Sequence, residues 1–274
     1  MRSLLFVPAD SEKKLPKALA SAADVVILDL EDSVAPADKP KARGLACDVL
    51  SSPRGRAKLF VRVNALSSGL TGADLDAVVA AKPDGLVLPK SESGADVKRL
   101  ITLAKLPVLA IATETAASMF NLGTYGDCGP LLLGLTWGME DLAAALGAQS
   151  NRDAQGRPTA PYELARTLCL IGARAAGVEP VDGVHANFRD LAGLEAQCRD
   201  AARDGFTAKM CIHPDQVEVI NRIFTPSPEA IARARRIVEA FAQAGDAGVI
   251  GLDGEMLDVP HLKAARALLA RVMG

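Results

Sequence analysis

Basic residues are in no excess in this chain. Lys and Arg number 31 against 33 Asp and Glu, a formal charge of −2 over 274 residues. A surface for duplex nucleic acid normally carries such an excess, so nucleic acid is not an expected partner. Aromatics make up only 4%, too few for a base-stacking platform. No apolar run reaches the roughly 18 residues of a membrane span, so no membrane partner is expected either. The start, Met1 to Pro8, joins one Arg to a short apolar run, but Asp10 and Glu12 follow and no cleavage site is evident. It reads as a first strand, not a secretory signal. The five cysteines, Cys47, Cys128, Cys169, Cys198 and Cys211, are odd in number and show no C-x-x-C pair or Cys/His metal spacing. That argues against disulfide and zinc frameworks and for a reducing cytoplasm. Missing too are G-x-G-x-x-G, Walker and G-x-S-x-G motifs, and with them the common signatures of nucleotide binding and serine hydrolysis.

What is present is apolar surface in a repeating order. The apolar fraction is 49% and the charged fraction 23%, enough for a large core and too much for global disorder. Strand-like runs occur at Leu4–Pro8, Val25–Leu30, Leu59–Val63, Gly85–Pro89, Val108–Ala112, Leu131–Leu135, Val181–Val184 and Ala208–Ile212. Val25–Leu30 is apolar at successive positions except Asp29, the mark of a parallel strand covered on both faces. Helical stretches such as Lys39–Leu50, Ala73–Ala81, Tyr162–Ala176 and Leu191–Arg203 lie between the runs. Strands alternating with helices imply βαβ units and a parallel sheet. Eight such units in about 220 residues match a (β/α)8 TIM barrel over residues 1–224; a doubly wound open sheet is the competing arrangement. Thr225-Pro226-Ser227-Pro228 then breaks the pattern, with Ser227 as an N-cap. Residues 225–274 form a C-terminal helical extension: a helix Glu229–Ala244, a turn-rich segment Gly245–Gly254 and a helix His261–Met273. The barrel does not need this tail, which is free to pack on it or to reach another subunit.

The polar residues fall where such a barrel keeps its chemistry. Strand two ends in Asp29-Leu30-Glu31-Asp32, strand three carries Arg62 and Asn64, and strand four ends in Lys90. Strand five ends in Thr113-Glu114-Thr115, strand six runs into Glu140-Asp141, strand seven into His185 and strand eight into His213. In a barrel these ends converge on one mouth. Period two puts Asp29 and Glu31 on one side and Asp32 on the other. Arg62, inside a strand, needs an anion: either one of those acids in a structural ion pair, or a substrate carboxylate or developing oxyanion, which its planar fork suits. Glu114 and Asp141 form the most informative pair. Two carboxylates at neighbouring strand ends, completed by waters and substrate oxygens, are how Mg2+ is usually held. Glu140, adjacent to Asp141, cannot point at the same spot. His185 and His213 read as core histidines. Lys13, Lys14 and Lys17 read as a solvated helix face, with phosphate contact as the alternative.

The motifs Leu4-Leu5-Phe6-Val7-Pro8-Ala9, Val26-Ile27-Leu28-Asp29-Leu30-Glu31-Asp32, Val61-Arg62-Val63-Asn64, Leu88-Pro89-Lys90, Thr113-Glu114-Thr115 and Trp137-Gly138-Met139-Glu140-Asp141 follow one another in this order. So do Cys211-Ile212-His213-Pro214 and Gly254-Glu255-Met256-Leu257-Asp258. Together they resemble the citrate lyase β-subunit (CitE-like) branch of the HpcH/HpaI aldolase superfamily. The resemblance implies a barrel assembled into homotrimers or hexamers, with Mg2+ on Glu114 and Asp141. It implies cleavage or formation of C–C bonds in 3-hydroxyacyl thioesters, of the citryl, malyl or citramalyl kind, carried on coenzyme A (CoA) or an acyl carrier. The products are a keto acid and an acyl thioester. It implies that Arg62 contacts the keto-acid or thioester oxygen, and it groups Pro8, Lys90 and Glu114 with Arg62 as substrate contacts. It also implies that Asp258 sits on a C-terminal lid that completes a neighbour's site. Removal of the substrate hydroxyl proton needs a base; Asp258 is the first candidate, with Glu31 or Asp32 behind it. Two other outcomes stay open: thioester hydrolysis on the same scaffold, and a keto-acid or CoA-binding subunit active only within a larger complex.

Overall fold

Each of the eight apolar runs overlaps a strand. In the structure, a computed structural model, which describes residues 1–53, 55–245 and 248–273, these are β1 Ser3–Pro8, β2 Val25–Asp29, β3 Lys58–Arg62, β4 Gly85–Leu88, β5 Val108–Ile111, β6 Leu132–Thr136, β7 Glu179–Asp182 and β8 Ala208–Cys211. They pair in parallel, each with the next, and β8 with β1, so the sheet closes as a (β/α)8 barrel. The open-sheet alternative is excluded. Every residue of β2 is buried, as expected for a strand with the barrel interior on one face and helices on the other.

Alternation along the strands sorts the apolar side chains into two cores. Leu4, Val25, Ile27, Phe60, Leu109, Val181 and Met210 fill the barrel. Leu5, Val26, Leu28, Val61, Leu86 and Ala110 point outward and pack beneath the helices. Those helices are α1 Leu15–Leu19, α2 Lys39–Ser51, α3 Thr71–Val78, α4 Gly94–Ala104, α5 Met139–Leu146, α6 Ala160–Ala175, α7 Leu191–Asp204 and α8 Asp215–Phe224. The crossover after β5 holds 3-10 turns, Ser118–Phe120 and Leu122–Asp127, where Gly123 and Gly126 weaken α-helix. Among the described residues no helix is long and apolar enough to cross a membrane.

Close approach between β6 and β7 rests on Gly134. A Cβ there would lie 2.5 Å from the backbone oxygen of Glu179, and backbone cannot yield as a side chain can. Gly134→Ala is expected to destabilise the barrel by about 1–3 kcal/mol in denaturant unfolding, as overpacking does. Gly72→Ala, with nothing within 4 Å of the added carbon, is the matched control and is expected to cost nothing.

The residues from Thr225 on form a second compact unit. It holds α9 Pro228–Gln243, β9 Val249–Leu252, β10 Glu255–Asp258 and α10 Val259–Met273. Ser227 caps α9, its hydroxyl accepting from the Ala230 amide. The turn-rich segment is in fact one arm of an antiparallel hairpin, so the extension is not purely helical. Asp253 and Gly254 both have positive φ, the two-residue turn that an Asp-Gly pair favours. Ala234, Ile237, Phe241, Leu257 and Ala265 make this unit's own core.

Candidate active site

Strand register builds the centre of the site. Asp29 and Arg62 are partners in the β2–β3 ladder, both facing inward beyond the apolar filling. Arg62 donates from Nε and Nη2 to the two oxygens of Asp29 at 2.7 and 2.6 Å. Its Nη1 lies 3.0 Å from Glu31 Oε2, an ion pair without hydrogen-bond geometry. The guanidinium stands 4.8 Å over the Phe6 ring. Burial alone would lower the Arg62 pKa, but the hydrogen bonds and charge of Asp29, with Glu31, hold it above its ordinary range. Burial would likewise raise Asp29, and Arg62 outweighs it. The two alternatives for Arg62 therefore combine: it has a structural partner and it also lines the cavity.

Lys90 organises the other side. Its φ of 51° is left-handed, a strain worth about 1–3 kcal/mol that such sites retain. That turn aims its backbone N–H at Glu114 Oε2, 2.6 Å away. Its ammonium reaches Glu31 at 2.5 Å, Asp32 at 2.8 Å and Asp141 at 3.2 Å. Burial lowers the Lys90 pKa, and Asp32 and Glu31 more than restore it. Lys90 is thus a tether for three acids. The expectation that Asp32 faces away from Glu31 also fails, because β2 ends at Asp29 and strand alternation stops there. Both acids turn to Lys90.

Glu114 is buried at the end of β5, with no α-helix after it to supply a dipole. Gly138 presses on it: a Cβ at Gly138 would lie 2.6 Å from Glu114 Oε1. Burial, opposed by the Lys90 amide and reinforced by the charges of Asp141 and Glu31, pushes the Glu114 carboxyl up to about 8. Asp141, in the first turn of α5, keeps its side chain 31% exposed. Glu140 turns away to Asn151, 2.8 Å from its amide. Four carboxylates (Asp29, Glu31, Asp32 and Asp141) thus contact two cations, Arg62 and Lys90, and a fifth, Glu114, accepts from the Lys90 backbone N–H. Among the described residues no three His, Cys, Asp or Glu side chains converge as a full metal cage. A pair of hard oxygen ligands with surplus negative charge does fit Mg2+, which keeps most of its waters and takes one or two carboxylates plus substrate oxygens.

These groups open onto one cavity of about 950 Å3 at the C-terminal ends of the strands. Pro8, Asp29, Asp32, Arg62, Glu114 and Asp141 line it, while Glu31 and Lys90 stand behind. Lys13, Lys14 and Lys17 border it from the β1–α1 side. His213 is no core residue: it lines the cavity and stacks on Phe188 with ring centroids 4.7 Å apart. His185 is buried, its Nδ1 3.1 Å from Gln197. Asp258 closes β10 in the second unit, its Oδ1 2.5 Å from His261 Nδ1. Three further residues line the cavity: Phe188, Trp137 and Thr136, whose buried hydroxyl has no hydrogen-bond partner among the described residues. Only Trp137 carried a signal, being the chain's sole tryptophan beside a glycine at a strand end.

A family model described as HpcH/HpaI aldolase/citrate lyase matches residues 2–214. A (3S)-malyl-CoA thioesterase of Cereibacter sphaeroides is 38% identical over 98% of this chain and 94% of that protein. A mitochondrial citramalyl-CoA lyase of Rattus norvegicus is 34% identical over 98% of this chain and 85% of its own length. Among solved structures, protein CitE of Mycobacterium tuberculosis in complex with magnesium, acetoacetate and coenzyme A superposes with a TM-score of 0.82. It is 38% identical, and the match covers all of this chain and 98% of that one.

Proposed function

Because this chain belongs to the HpcH/HpaI aldolase/citrate lyase family, we propose that it is a Mg2+-dependent carbon–carbon lyase. It cleaves or forms a short 3-hydroxyacyl thioester, of the malyl-, citramalyl- or citryl-CoA kind, into a keto acid and an acyl thioester. The observation that carries this reading is one cavity shared by the Arg62 guanidinium and by Glu114 and Asp141, the charge of Asp141 raising the proton affinity of Glu114.

Cleavage leaves a keto acid and a thioester enolate, so a base must take the hydroxyl proton and a cationic donor must meet the charge building on the thioester oxygen. Arg62 is that donor, held in place by Asp29 and Glu31 before substrate arrives. Glu114 and Asp141 would hold Mg2+, whose chemistry is Lewis-acid polarisation of a substrate oxygen. Asp258 is the base, in line with the C-terminal lid that the family resemblance implies. Of the two barrel acids, Asp32 is the better second: it lines the cavity and its side chain is 59% exposed, whereas Glu31 is closed between Arg62 and Lys90. Lys13, Lys14 and Lys17, with the Phe188–His213 stack, support CoA as carrier through its phosphates and base. We read residues 1–224 as the catalytic barrel and residues 225–274 as an extension that contacts a neighbouring subunit of a homotrimer or hexamer. The free cysteines support a cytoplasmic setting.

Product analysis tests the reading. Purified protein with Mg2+ is expected to release glyoxylate, pyruvate or oxaloacetate from the matching thioester, and to stop with EDTA. Free CoA from malyl-CoA with no keto acid would move the assignment to thioester hydrolysis, which the 38% identity to a malyl-CoA thioesterase favours as the second reading. Binding of acetyl-CoA or oxaloacetate with no turnover in either direction would leave a subunit that works only in a complex.

A further inference from the structure

Behind the cavity wall lies a charged network that the chemistry above does not use. Asp182 on β7 and Lys209 on β8 are ladder partners, both fully buried, with Nζ 2.6 Å from Oδ2. The other Asp182 oxygen accepts from Arg166 Nε at 3.1 Å and from the Trp137 indole N–H at 2.8 Å. Arg166 is separately neutralised by Asp204 at 2.9 Å. A buried ion pair is a weak stabiliser, since desolvation consumes most of its Coulombic gain. What this one secures is an acceptor at a fixed place for the indole, on the oxygen that Arg166 also holds. The fit around that ring is close: a Cβ at Gly183 would lie 3.0 Å from Trp137 Nε1. Tyr162 and Ala165 belong to the apolar cluster on which the ring packs. Trp137 opens the turn from β6 into α5, followed by Gly138, which presses on Glu114, and by Asp141.

We propose that Asp182 is a positioning residue which, through the Trp137 indole, sets the turn of residues 137–141 and hence the approach of Asp141 to Glu114. The inference rests on the reading of those two acids as the Mg2+ ligands. Partners that touch a metal's ligands directly typically contribute about 10–100-fold to its affinity; Asp182 touches Trp137, a step further back, so its effect is expected at or below the lower end of that range.

Two variants test it. Asp182→Asn unbalances the network. Trp137→Phe removes only the N–H donor and part of the ring, leaving Asp182 paired with Lys209 and Arg166. In both, calorimetric titration with Mg2+ in the presence of pyruvate is expected to show affinity weaker by several-fold, up to about tenfold, the lower end of the range for partners that touch the ligands themselves. Turnover is expected to return at high Mg2+, which a merely structural lesion would not allow. Backbone amides of residues 142 and 143, which close the first turn of α5, are expected to exchange faster. Since Trp137 is the only tryptophan, its emission in Asp182→Asn is expected to shift to longer wavelength. Wild-type exchange over the turn and wild-type Mg2+ affinity in a folded Trp137→Phe would overturn the proposal, and this variant decides if Asp182→Asn does not fold. If the wild-type protein binds no Mg2+, the metal reading fails on its own, while amide exchange still decides whether Asp182 holds the turn.

Discussion

Arg62→Lys is expected to lower kcat on a malyl- or citramalyl-thioester by about 10²–10³-fold, the usual cost of removing one donor from a developing oxyanion, in a protein that still folds. Lysine keeps the positive charge that Asp29 and Glu31 require, but it has no fork. Arg62 spends Nε and Nη2 on Asp29 and places Nη1 beside Glu31, and that three-point anchorage is what aims the group into the cavity. A single ammonium on a flexible stem cannot reproduce it. Arg62→Ala is expected to lose the activity and, in addition, about 3–5 kcal/mol of stability, because it strands a buried carboxylate at Asp29, which is 1% exposed. Steady-state kinetics alongside chemical unfolding separates the two losses. A lysine variant with wild-type kcat would remove Arg62 from the reacting centre.

Glu114→Gln is expected to split metal-free stability from metal binding. The amide keeps an acceptor for the Lys90 N–H and removes a carboxyl that burial, against the Lys90 amide, and the charges of Asp141 and Glu31 push up to about 8. A carboxyl whose folded-state pKa lies above its unfolded value costs nothing below the unfolded value near 4.5. Its cost grows as pH rises and is complete above the folded one. The metal-free glutamine variant is therefore expected to melt higher than wild type above pH 8 and to lose that advantage near pH 4.5. Mg2+ is expected to reverse the order by raising the wild-type melting temperature and leaving the variant unmoved. Loss of a direct ligand should weaken Mg2+ binding by more than the roughly 10–100-fold typical of an outer partner. A variant that still gains stability from Mg2+ would take Glu114 out of the metal site.

The strands that read most clearly were those whose physics is local. Val25–Asp29 is apolar at nearly every position because both its faces are covered, and nothing distant is needed to see it. β7 was displaced by two residues in the sequence reading because it begins Glu179-Pro180, residues that weaken a strand signal. The hairpin of the second unit escaped although Asp253-Gly254 marks its turn, because its strands are four residues each and half exposed. In the site, the residue types and the strand ends that bear them were legible for Arg62, Glu114 and Asp141. Their neighbours were not. The tethering of three acids by Lys90 is not legible, because one left-handed residue redirects the chain. Thr136 and Phe188 are silent because an apolar or hydroxyl side chain gives no sign of the wall it will line.

Amino-acid order alone determines the eight alternating units, the strand ends that carry the chemistry and the family of the motifs, since burial and strand-end polarity are written within a few neighbouring residues; closure into a barrel rather than an open sheet is decided by the tertiary structure. Which acid faces which cation emerges only on closure. Ladder register across β2–β3 puts Asp29 on Arg62, and β7–β8 puts Asp182 on Lys209. Beyond the strand ends, loop backbone turns Glu31, Asp32 and Asp141 together onto Lys90. Those contacts join residues tens of positions apart, and only the closed sheet holds them within hydrogen-bonding distance.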